Sequence, residues 1–274
     1  MKVIETRSIP PEKLKRILLG IHSGPQLSRI ETAVGKIVDS VRREGDRAVT
    51  RFTRKFDGVS LRPARFRVGK DEVRSSYGKL SRESLRALRR AHKNITAFHK
   101  RRLRRDWLSR RPDGSALGQK LTPIERVGVY CPGGKAFYPS SVLMNIAPAK
   151  VAGCSEIIMV SPPSSSGTIH PGLLAAADIA GATRIFRVGG AQAIAALAYG
   201  TATIPKVDKI VGPGNIYVAV AKRLVSGAAA IDMEAGPSEI MILADSSADP
   251  RLVAADILSQ AEHDEMAVSI LVTT

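Results

Sequence analysis

The chain has 274 residues, of which 44% are hydrophobic and 24% are charged, a balance typical of a globular protein of one or two domains. This composition excludes disordered, collagen-like and disulfide-rich proteins. No apolar run approaches the roughly 18 residues that indicate a membrane-spanning helix, and the first 20 residues lack the apolar segment of a secretory signal. Cys131 and Cys154 show no metal-binding or redox spacing, so we expect a reducing, cytoplasmic environment.

The net charge of +17 is concentrated in the first part of the chain. Residues 1–125 contain 32 Lys and Arg against 13 Asp and Glu, whereas residues 126–274 contain 10 against 12. This asymmetry raises the question of a nucleic-acid or membrane partner. However, only Phe98 and Trp107 supply aromatic rings around the basic run at 100–105, and most such runs are solvated helix faces. We expect no specific nucleic-acid partner and no membrane partner, with a nucleic-acid-binding protein as an alternative.

The first 120 residues predict two long helices. Apolar residues at 3- and 4-residue spacing predict a helix over 28–56, which Gly45 interrupts and which Asp57 and Gly58 end. A second helix is predicted over 81–106, with Ser81 as its N-cap. The predicted buried stripe of this second helix consists of Leu85, Leu88, Ile95 and Phe98.

After Pro123, short β-rich runs alternate with Ala-rich helical runs. The predicted strands are 127–130, 156–160, 184–188, 209–211, 239–244 and 268–273. The predicted helices between them are 140–152, 171–181, 190–199, 214–225 and 250–262. This alternation predicts an α/β fold with a parallel sheet covered by helices. A parallel strand normally leads into a crossover helix, and none follows the last strand, so we expect the chain to be part of a longer protein.

Three glycine-rich turns follow predicted strands. They lie at Tyr130-Cys-Pro-Gly-Gly134, Val188-Gly-Gly-Ala-Gln192 and Val211-Gly-Pro-Gly-Asn215. Glycine lets the backbone approach a ligand closely, and the helix that follows offers free N–H groups at its start. Each turn alone is typical of a plain strand-to-helix connection. Three turns at one edge of a parallel sheet, however, favour a phosphate or nucleotide site.

Two potential metal ligands stand near the end of the last predicted helix. Gln260 and His263 are three residues apart, so both side chains lie on one helix face. Histidine is the commonest metal ligand, but zinc needs at least three protein ligands, so this pair cannot hold zinc alone. The alternative is a charged histidine that interacts with the helix dipole. Cys131 and Cys154 have no neighbouring histidine and are interpreted as small core residues.

Several sequence blocks resemble the histidinol dehydrogenase family. They are Val127-Gly-Val-Tyr-Cys-Pro-Gly-Gly134, Tyr138-Pro-Ser-Ser-Val-Leu-Met-Asn145, Pro148-Ala-Lys-Val-Ala-Gly153, Val188-Gly-Gly-Ala-Gln-Ala-Ile-Ala195, Val211-Gly-Pro-Gly-Asn215, Asp232-Met-Glu-Ala-Gly-Pro-Ser-Glu239 and Gln260-Ala-Glu-His263. The resemblance extends from at least Asn94 to the last residue. Because so many blocks occur in one order, the resemblance is specific.

The resemblance implies a function and a set of site residues. Members of this family oxidise L-histidinol through L-histidinaldehyde to L-histidine, the last two steps of histidine biosynthesis, with NAD and a catalytic zinc ion. By resemblance, Tyr130, Gln192 and Asn215 match positions that contact NAD. The positions that match substrate contacts are Ser238, Gln260 and His263, and the last two also match zinc ligands.

The resemblance also implies a domain arrangement and marks what this chain lacks. We expect two incomplete Rossmann-like parallel-sheet domains, one inserted in the other. Residues 1–25 form an N-terminal helical arm, 26–129 with 237–274 form the first domain, and 130–236 form the NAD-binding domain. The family's Glu-His catalytic pair and its remaining zinc ligands correspond to positions beyond 274, as does the segment that helps to build a homodimer. We therefore expect no catalytic pair in this chain and little activity from the chain alone.

Two further interpretations stay open at this point. The chain could belong to a paralogous zinc- and NAD-dependent alcohol dehydrogenase that acts on another small polar alcohol, or it could be an inactive fragment. Cys131 stands where the family usually has a small apolar residue, and the arginine content of 82–111 is higher than we expect for the family.

Overall fold

The computed structural model describes residues 3–20, 25–133, 137–233, 239–262 and 267–274. Its helices are α1 (Pro11–Gly20), α2 (Pro25–Glu44), α3 (Asp46–Asp57), α4 (Lys70–Tyr77), α5 (Arg82–Lys100), α6 (Pro139–Ala152), α7 (Pro171–Ala180), α8 (Gly190–Tyr199), α9 (Ile216–Val225) and α10 (Pro250–Ala261). Its strands are β1 (Trp107–Arg110), β2 (Ala116–Gln119), β3 (Arg126–Tyr130), β4 (Glu156–Val160), β5 (Arg184–Phe186), β6 (Lys209–Val211), β7 (Ala230–Ile231), β8 (Glu239–Ala244) and β9 (Val268–Thr273). Within these ranges no helix is long and apolar enough to cross a membrane.

The chain forms two compact units, residues 34–234 and residues 1–33 with 235–274. A five-stranded parallel sheet with the order β5-β4-β3-β6-β7 is the centre of the first of these units. In chain order, β3, β4 and β5 therefore lie successively closer to one edge of the sheet. Strands β6 and β7 then follow on the other side of β3, towards the opposite edge. In open α/β sheets, the crevice at such a switch point is where ligands bind. The predicted α/β class with parallel sheets is confirmed.

One hydrophobic core of this unit lies on the face of the sheet covered by α6 and α7. It combines Val129 and Ile157 from the strands with Leu143 and Ile146 of α6 and Leu173 of α7, all of which are fully or almost fully buried. Each such side chain contributes about 1.5–3 kcal/mol relative to an exposed position. Helix α5 packs on the outside of α6 and α7, so two layers of helices separate the sheet from solvent on this face.

A short segment before α4 covers the open edge of the sheet beside β5. The Val68 N–H donates to the Ile185 carbonyl at 2.9 Å, and the Arg187 N–H donates to the Phe66 carbonyl at 2.8 Å. Arg67 and Phe186 form an antiparallel bridge between the same two segments. An unpaired strand edge is a site for aggregation, and this pairing removes it at β5.

A buried ion pair ties α4 to the loop that follows β5. The Arg187 side chain is only 3% exposed, and its guanidinium contacts the Glu72 carboxylate at 2.5 Å. The same guanidinium donates to the Gly167 carbonyl at 3.2 Å. A buried guanidinium needs such partners because the loss of hydration would otherwise strongly destabilise its charge. This pair therefore holds α4 in a defined position next to β5.

Most of the predicted elements are confirmed. Gly45 separates α2 from α3 with a φ of +56°, and Gly58 ends α3 with a φ of +70°. The Ser81 hydroxyl accepts the Ser84 N–H at 3.0 Å, as expected of an N-cap. The strands 156–160, 209–211, 239–244 and 268–273 begin and end where the sequence predicts.

The predicted helix over 81–106 is too long. Helix α5 ends at Lys100, and residues 107–119 form the antiparallel hairpin β1–β2, whose turn contains Gly114 with a φ of +84°. The Asp113 carboxylate accepts the Ser115 N–H at 2.9 Å and stabilises this turn. Asp-Gly is a strong hairpin signal that the helical interpretation overlooked. The predicted buried stripe of this helix is only partly buried: Leu85, Leu88 and Ile95 are half-buried, and Phe98 is 59% exposed.

The second unit contains the two parallel strands β8 and β9 with α10 between them. Glu239 lies opposite Val268, and the register continues to Ala244 opposite Thr273. Helix α10 begins at the N-cap Asp249, whose carboxylate accepts the Arg251 N–H at 2.9 Å. This is one strand–helix–strand element of a parallel sheet.

The predicted domain boundaries differ from the limits of these compact units. A boundary at 129/130 leaves only the last residue of β3 with the NAD-binding domain, yet the whole of β3 pairs within the five-stranded sheet. The assignment of 26–129 and 237–274 to a first Rossmann-like domain stays a prediction.

The Arg187–Glu72 pair generates a stability prediction. Replacing Glu72 by alanine leaves a buried guanidinium without its carboxylate, and we expect the free energy of unfolding to fall by about 2–4 kcal/mol. Urea denaturation followed by circular dichroism measures this change. The matched control is Asp71→Ala, because Asp71 pairs with Arg74 fully at the surface, and it should leave the unfolding curve unchanged. Equal effects of the two substitutions would contradict the prediction.

Candidate functional site

The three predicted glycine turns follow β3, β5 and β6, which are strands of one parallel sheet. They therefore lie together at the edge formed by the carboxyl ends of the strands. The first turn is described as far as Gly133, the second runs from Val188 into α8, and the third runs from Gly212 to Asn215. The sequence placed all three turns correctly, and β3 and β6 flank the switch point of the sheet.

Tyr130 connects the first two turns. Side chains alternate along β3, so Val129 and Cys131 enter the core beside α6 while Tyr130 points to the opposite face. There its hydroxyl accepts the Gly190 N–H at 3.2 Å, at the first residue of α8. Burial raises the pKa of Tyr130 to about 12, so the phenol keeps its proton at neutral pH. The phenol is thus a fixed polar group directly under the start of α8.

The third turn packs against the backbone of Tyr130. Gly212 has a φ of +111°, a conformation that side chains rarely adopt. A Cβ atom at Gly212 would also overlap the Tyr130 carbonyl oxygen. Only glycine therefore allows β3 and the start of the third turn to approach this closely.

A buried lysine holds the same turn from the other side. The Lys222 side chain is 1% exposed, and its ammonium donates to the Gly212 carbonyl at 3.0 Å and pairs with the Asp232 carboxylate at the end of β7. That carboxylate also accepts the Gly212 N–H at 2.8 Å and the Met233 N–H at 2.7 Å. The backbone N–H and the backbone carbonyl of Gly212 are therefore both hydrogen-bonded, which rigidifies the turn. The sequence analysis missed this pair, although a lysine directly after the apolar run 218–221 was an available signal.

Gln192 carries polar atoms that the protein leaves unpaired. Its side chain is 1% exposed, yet neither its amide oxygen nor its amide nitrogen has a hydrogen-bond partner among the described residues. The hydroxyl of Ser161, just after β4, is buried and unpaired in the same way. Gly133 in the first turn lies against this hydroxyl, since a Cβ atom there would come within 2.7 Å of it. Buried polar groups are almost always paired, so these atoms indicate a place for a polar ligand.

Asn215 begins α9 as its N-cap. Its side-chain oxygen accepts the Val218 N–H at 3.1 Å, which leaves the amide nitrogen for a ligand. The residue is exposed at the mouth of the third turn. Tyr130, Gln192 and Asn215, the residues predicted to contact a dinucleotide, thus belong to the three turns of a single sheet edge.

Asp57 is a further polar residue of this region that the sequence analysis treated only as a helix end. One of its carboxylate oxygens is buried without a hydrogen-bond partner. Burial raises the pKa of Asp57 to about 6, and its negative charge contributes to the raised pKa of Tyr130. A carboxylate in this environment destabilises the folded state whenever it is ionised.

The two cysteines are core residues, as predicted. Both are buried and free, and burial raises the pKa of the Cys131 thiol well above its ordinary value. Burial also raises the pKa of Cys154. Because the thiolate is the reactive form, neither residue is suited to nucleophilic chemistry.

Of the remaining predicted site residues, only Gln260 is described. It lies half-buried in the last turn of α10, while Ser238 and His263 fall outside the described residues. Within the described ranges, no group of three His, Cys, Asp or Glu side chains is arranged to hold a metal ion.

The raised pKa of Asp57 leads to a prediction about stability and pH. Since its pKa is about 6 in the folded state and 3.8 ordinarily, the folded state binds more protons between these values, and stability falls as pH rises through this window. We expect Asp57→Asn to stabilise the protein by about 1–3 kcal/mol at pH 7.5 and by less at pH 5. Urea denaturation at both pH values measures this. A variant less stable than the wild type at pH 7.5 would refute the prediction.

Comparisons with known proteins identify the family. The family profile described as "Histidinol dehydrogenase" matches residues 22–274. The chain is 50% identical over 273 residues to histidinol dehydrogenase of Synechococcus sp., with 100% of this chain and 63% of that protein covered. It is 57% identical over 243 residues to histidinol dehydrogenase of Aquifex aeolicus, with 89% of this chain and 56% of that protein covered.

A solved structure agrees with the sequence comparisons. The crystal structure of histidinol dehydrogenase from Elizabethkingia anophelis superposes with a TM-score of 0.81 and 39% identity, covering 97% of this chain and 61% of that one. The chain thus spans 56–63% of the length of these relatives. On its sequence blocks, its sheet topology and these matches, the chain belongs to the histidinol dehydrogenase family.

Proposed function

We propose that the protein to which this chain belongs oxidises L-histidinol to L-histidine through L-histidinaldehyde, with NAD as the hydride acceptor. The observation that carries the proposal is the unpaired, buried amide of Gln192 among three glycine turns at a sheet switch point. Family membership supports histidinol over another small polar alcohol. The reaction closes histidine biosynthesis, and two free, buried cysteines fit a reducing cytoplasm.

The residues at the sheet edge fit a dinucleotide. The backbone of the third turn lets phosphate groups approach, and the N-terminus of α9 favours negative charge. We assign Gln192 and Asn215 as hydrogen-bonding residues and Tyr130 as the residue that fixes the start of α8. These groups bind and orient NAD, which accepts a hydride when bound. Lys222 and Asp232 hold the third turn in one conformation before NAD binds. The turn therefore loses less conformational entropy on binding.

The substrate and zinc assignments concern the other compact unit. We assign Ser238, Gln260 and His263 to histidinol binding, and Gln260 and His263 to zinc. A zinc site needs at least three protein ligands, so this pair requires partners from elsewhere in the protein. The catalytic Glu-His pair and the homodimer belong to the same proposal, since the family resemblance implies both.

The cofactor assignment predicts two binding defects. Gln192→Ala and Asn215→Ala should each weaken NAD binding, measured by isothermal titration calorimetry, by about 1–3 kcal/mol, or roughly 5- to 150-fold. Asn215→Asp is the control for folding, because aspartate also serves as an N-cap but lacks the amide donor. It should match the stability of the wild type and still bind NAD weakly. Unchanged NAD affinity in both alanine variants would remove the cofactor assignment.

The proposed reaction is tested by NADH formation with L-histidinol and Zn²⁺. We expect the 274-residue chain alone to form no measurable NADH, because two zinc ligands are too few and a positioned acid or base contributes roughly 10²–10⁴-fold. The same chain, continued by the C-terminal part of the Aquifex aeolicus relative, should be active. A folded, zinc-loaded fusion that oxidises other alcohols but not histidinol would contradict the proposal, as would activity of the chain alone.

A further inference from the structure

Asp57 is placed beside the start of α8 by the packing of two helices. Helix α3 packs on α8, and Asp46 at the start of α3 accepts the Thr203 hydroxyl at 2.6 Å, beyond the end of α8. The two helices therefore run antiparallel, so that the last residue of α3 reaches the first turn of α8. The action of the Asp57 charge on Tyr130, whose hydroxyl binds Gly190, agrees with this placement.

Each carboxylate of α3 has one buried oxygen without a hydrogen-bond partner among the described residues, but only Asp46 has a hydrogen bond at its other oxygen. Asp46 anchors the helix through its bond to Thr203. Asp57 has a carboxylate oxygen that is buried and accepts no hydrogen bond from the described residues. A carboxylate that has no hydrogen bond among the described residues, and whose charge burial destabilises, does not stabilise the fold. Such groups concentrate at ligand-binding sites.

The polar atoms around Asp57 define the chemistry of a matching ligand. The carboxylate offers only acceptors at neutral pH, the Gln192 amide offers an unpaired donor and an unpaired acceptor, and Tyr130 retains its O–H proton. A phosphate would be repelled by the carboxylate. Neutral hydroxyl groups, which donate and accept, satisfy the whole set. In a dinucleotide, the hydroxyl groups belong to the two riboses.

We infer that Asp57 is a further residue of the dinucleotide site, where its carboxylate accepts a hydrogen bond from a ribose hydroxyl next to Gln192 and Tyr130. This inference rests on the proposed function, since it names the part of NAD that the first turn of α8 binds. It also gives a function to a carboxylate that lowers the stability of the folded state when it is ionised. Asp57 thereby selects a sugar hydroxyl at a position where a phosphate group would be rejected.

Calorimetric titration of the 274-residue chain with NAD tests the inference. Asp57→Asn should weaken NAD binding about tenfold or more, because it removes a charge-assisted hydrogen bond, while the variant stays folded and gains stability at pH 7.5. Asp46→Asn is the matched control on the same helix. It loses the bond to Thr203 and should lower stability, but NAD affinity should stay within about twofold of the wild type.

NAD analogues that each lack one ribose hydroxyl identify the partner group. With one of these analogues, the affinity difference between wild type and Asp57→Asn should shrink to about twofold or less, while the other analogues preserve it. A difference that persists unchanged with every analogue would overturn the inference, since Asp57 would then act through the fold or through general charge.

The outcomes separate this inference from the proposed function. If the wild-type chain binds no NAD, both fail together. If the wild type binds NAD and Asp57→Asn binds it equally well, only the assignment of Asp57 fails. If Asp57→Asn binds weakly but is also less stable than the wild type at pH 7.5, the residue has a structural role and the inference is wrong.

Discussion

Tyr130 is the residue on which the geometry of the candidate site depends. It ends the first strand of the central sheet, accepts the Gly190 N–H through its hydroxyl and presents its carbonyl to Gly212. One residue therefore sets the separation of the turns after β3, β5 and β6. The close approach to Gly212 is possible only without a side chain, because any Cβ atom there would overlap the carbonyl. The three turns consequently form one rigid edge instead of three independent loops.

Two buried cations reinforce this edge at opposite ends of the sheet. Lys222 and Asp232 enclose the Gly212 peptide beside β7, and Arg187 with Glu72 fixes the loop after β5. Replacing buried ion pairs by apolar residues often leaves stability unchanged or raises it, so stability alone does not account for them. Their common effect is to hold backbone segments that flank the proposed dinucleotide site. A binding site gains affinity from such rigidity because less conformational freedom is lost on binding.

The two compact units contribute differently to the proposed chemistry. The unit at 34–234 contains every residue assigned to the dinucleotide, and its parallel sheet is completed at one edge by the segment 66–68. The unit at 1–33 and 235–274 contains the predicted substrate and zinc positions on or next to one strand–helix–strand element. Under the proposed function, NAD binding can therefore be tested in this chain, whereas the proposed zinc site needs more ligands than Gln260 and His263 supply.

Local patterns in the sequence were sufficient to determine the alternation of strands and helices after Pro123, the three glycine turns and the Ser81 cap. These features depend on residues close in the chain: hydrophobic periodicity, glycine conformations and short-range hydrogen bonds. The resemblance to the family added the positions Tyr130, Gln192 and Asn215. Only the tertiary structure showed that the amide of Gln192 is unpaired among the described residues, that Lys222 is buried against Asp232, and that an oxygen of the Asp57 carboxylate is buried without a partner there. Those facts depend on burial and on contacts between distant segments, such as Arg187 with Glu72 across 115 residues, and no local pattern specifies which distant groups will meet or remain without a partner.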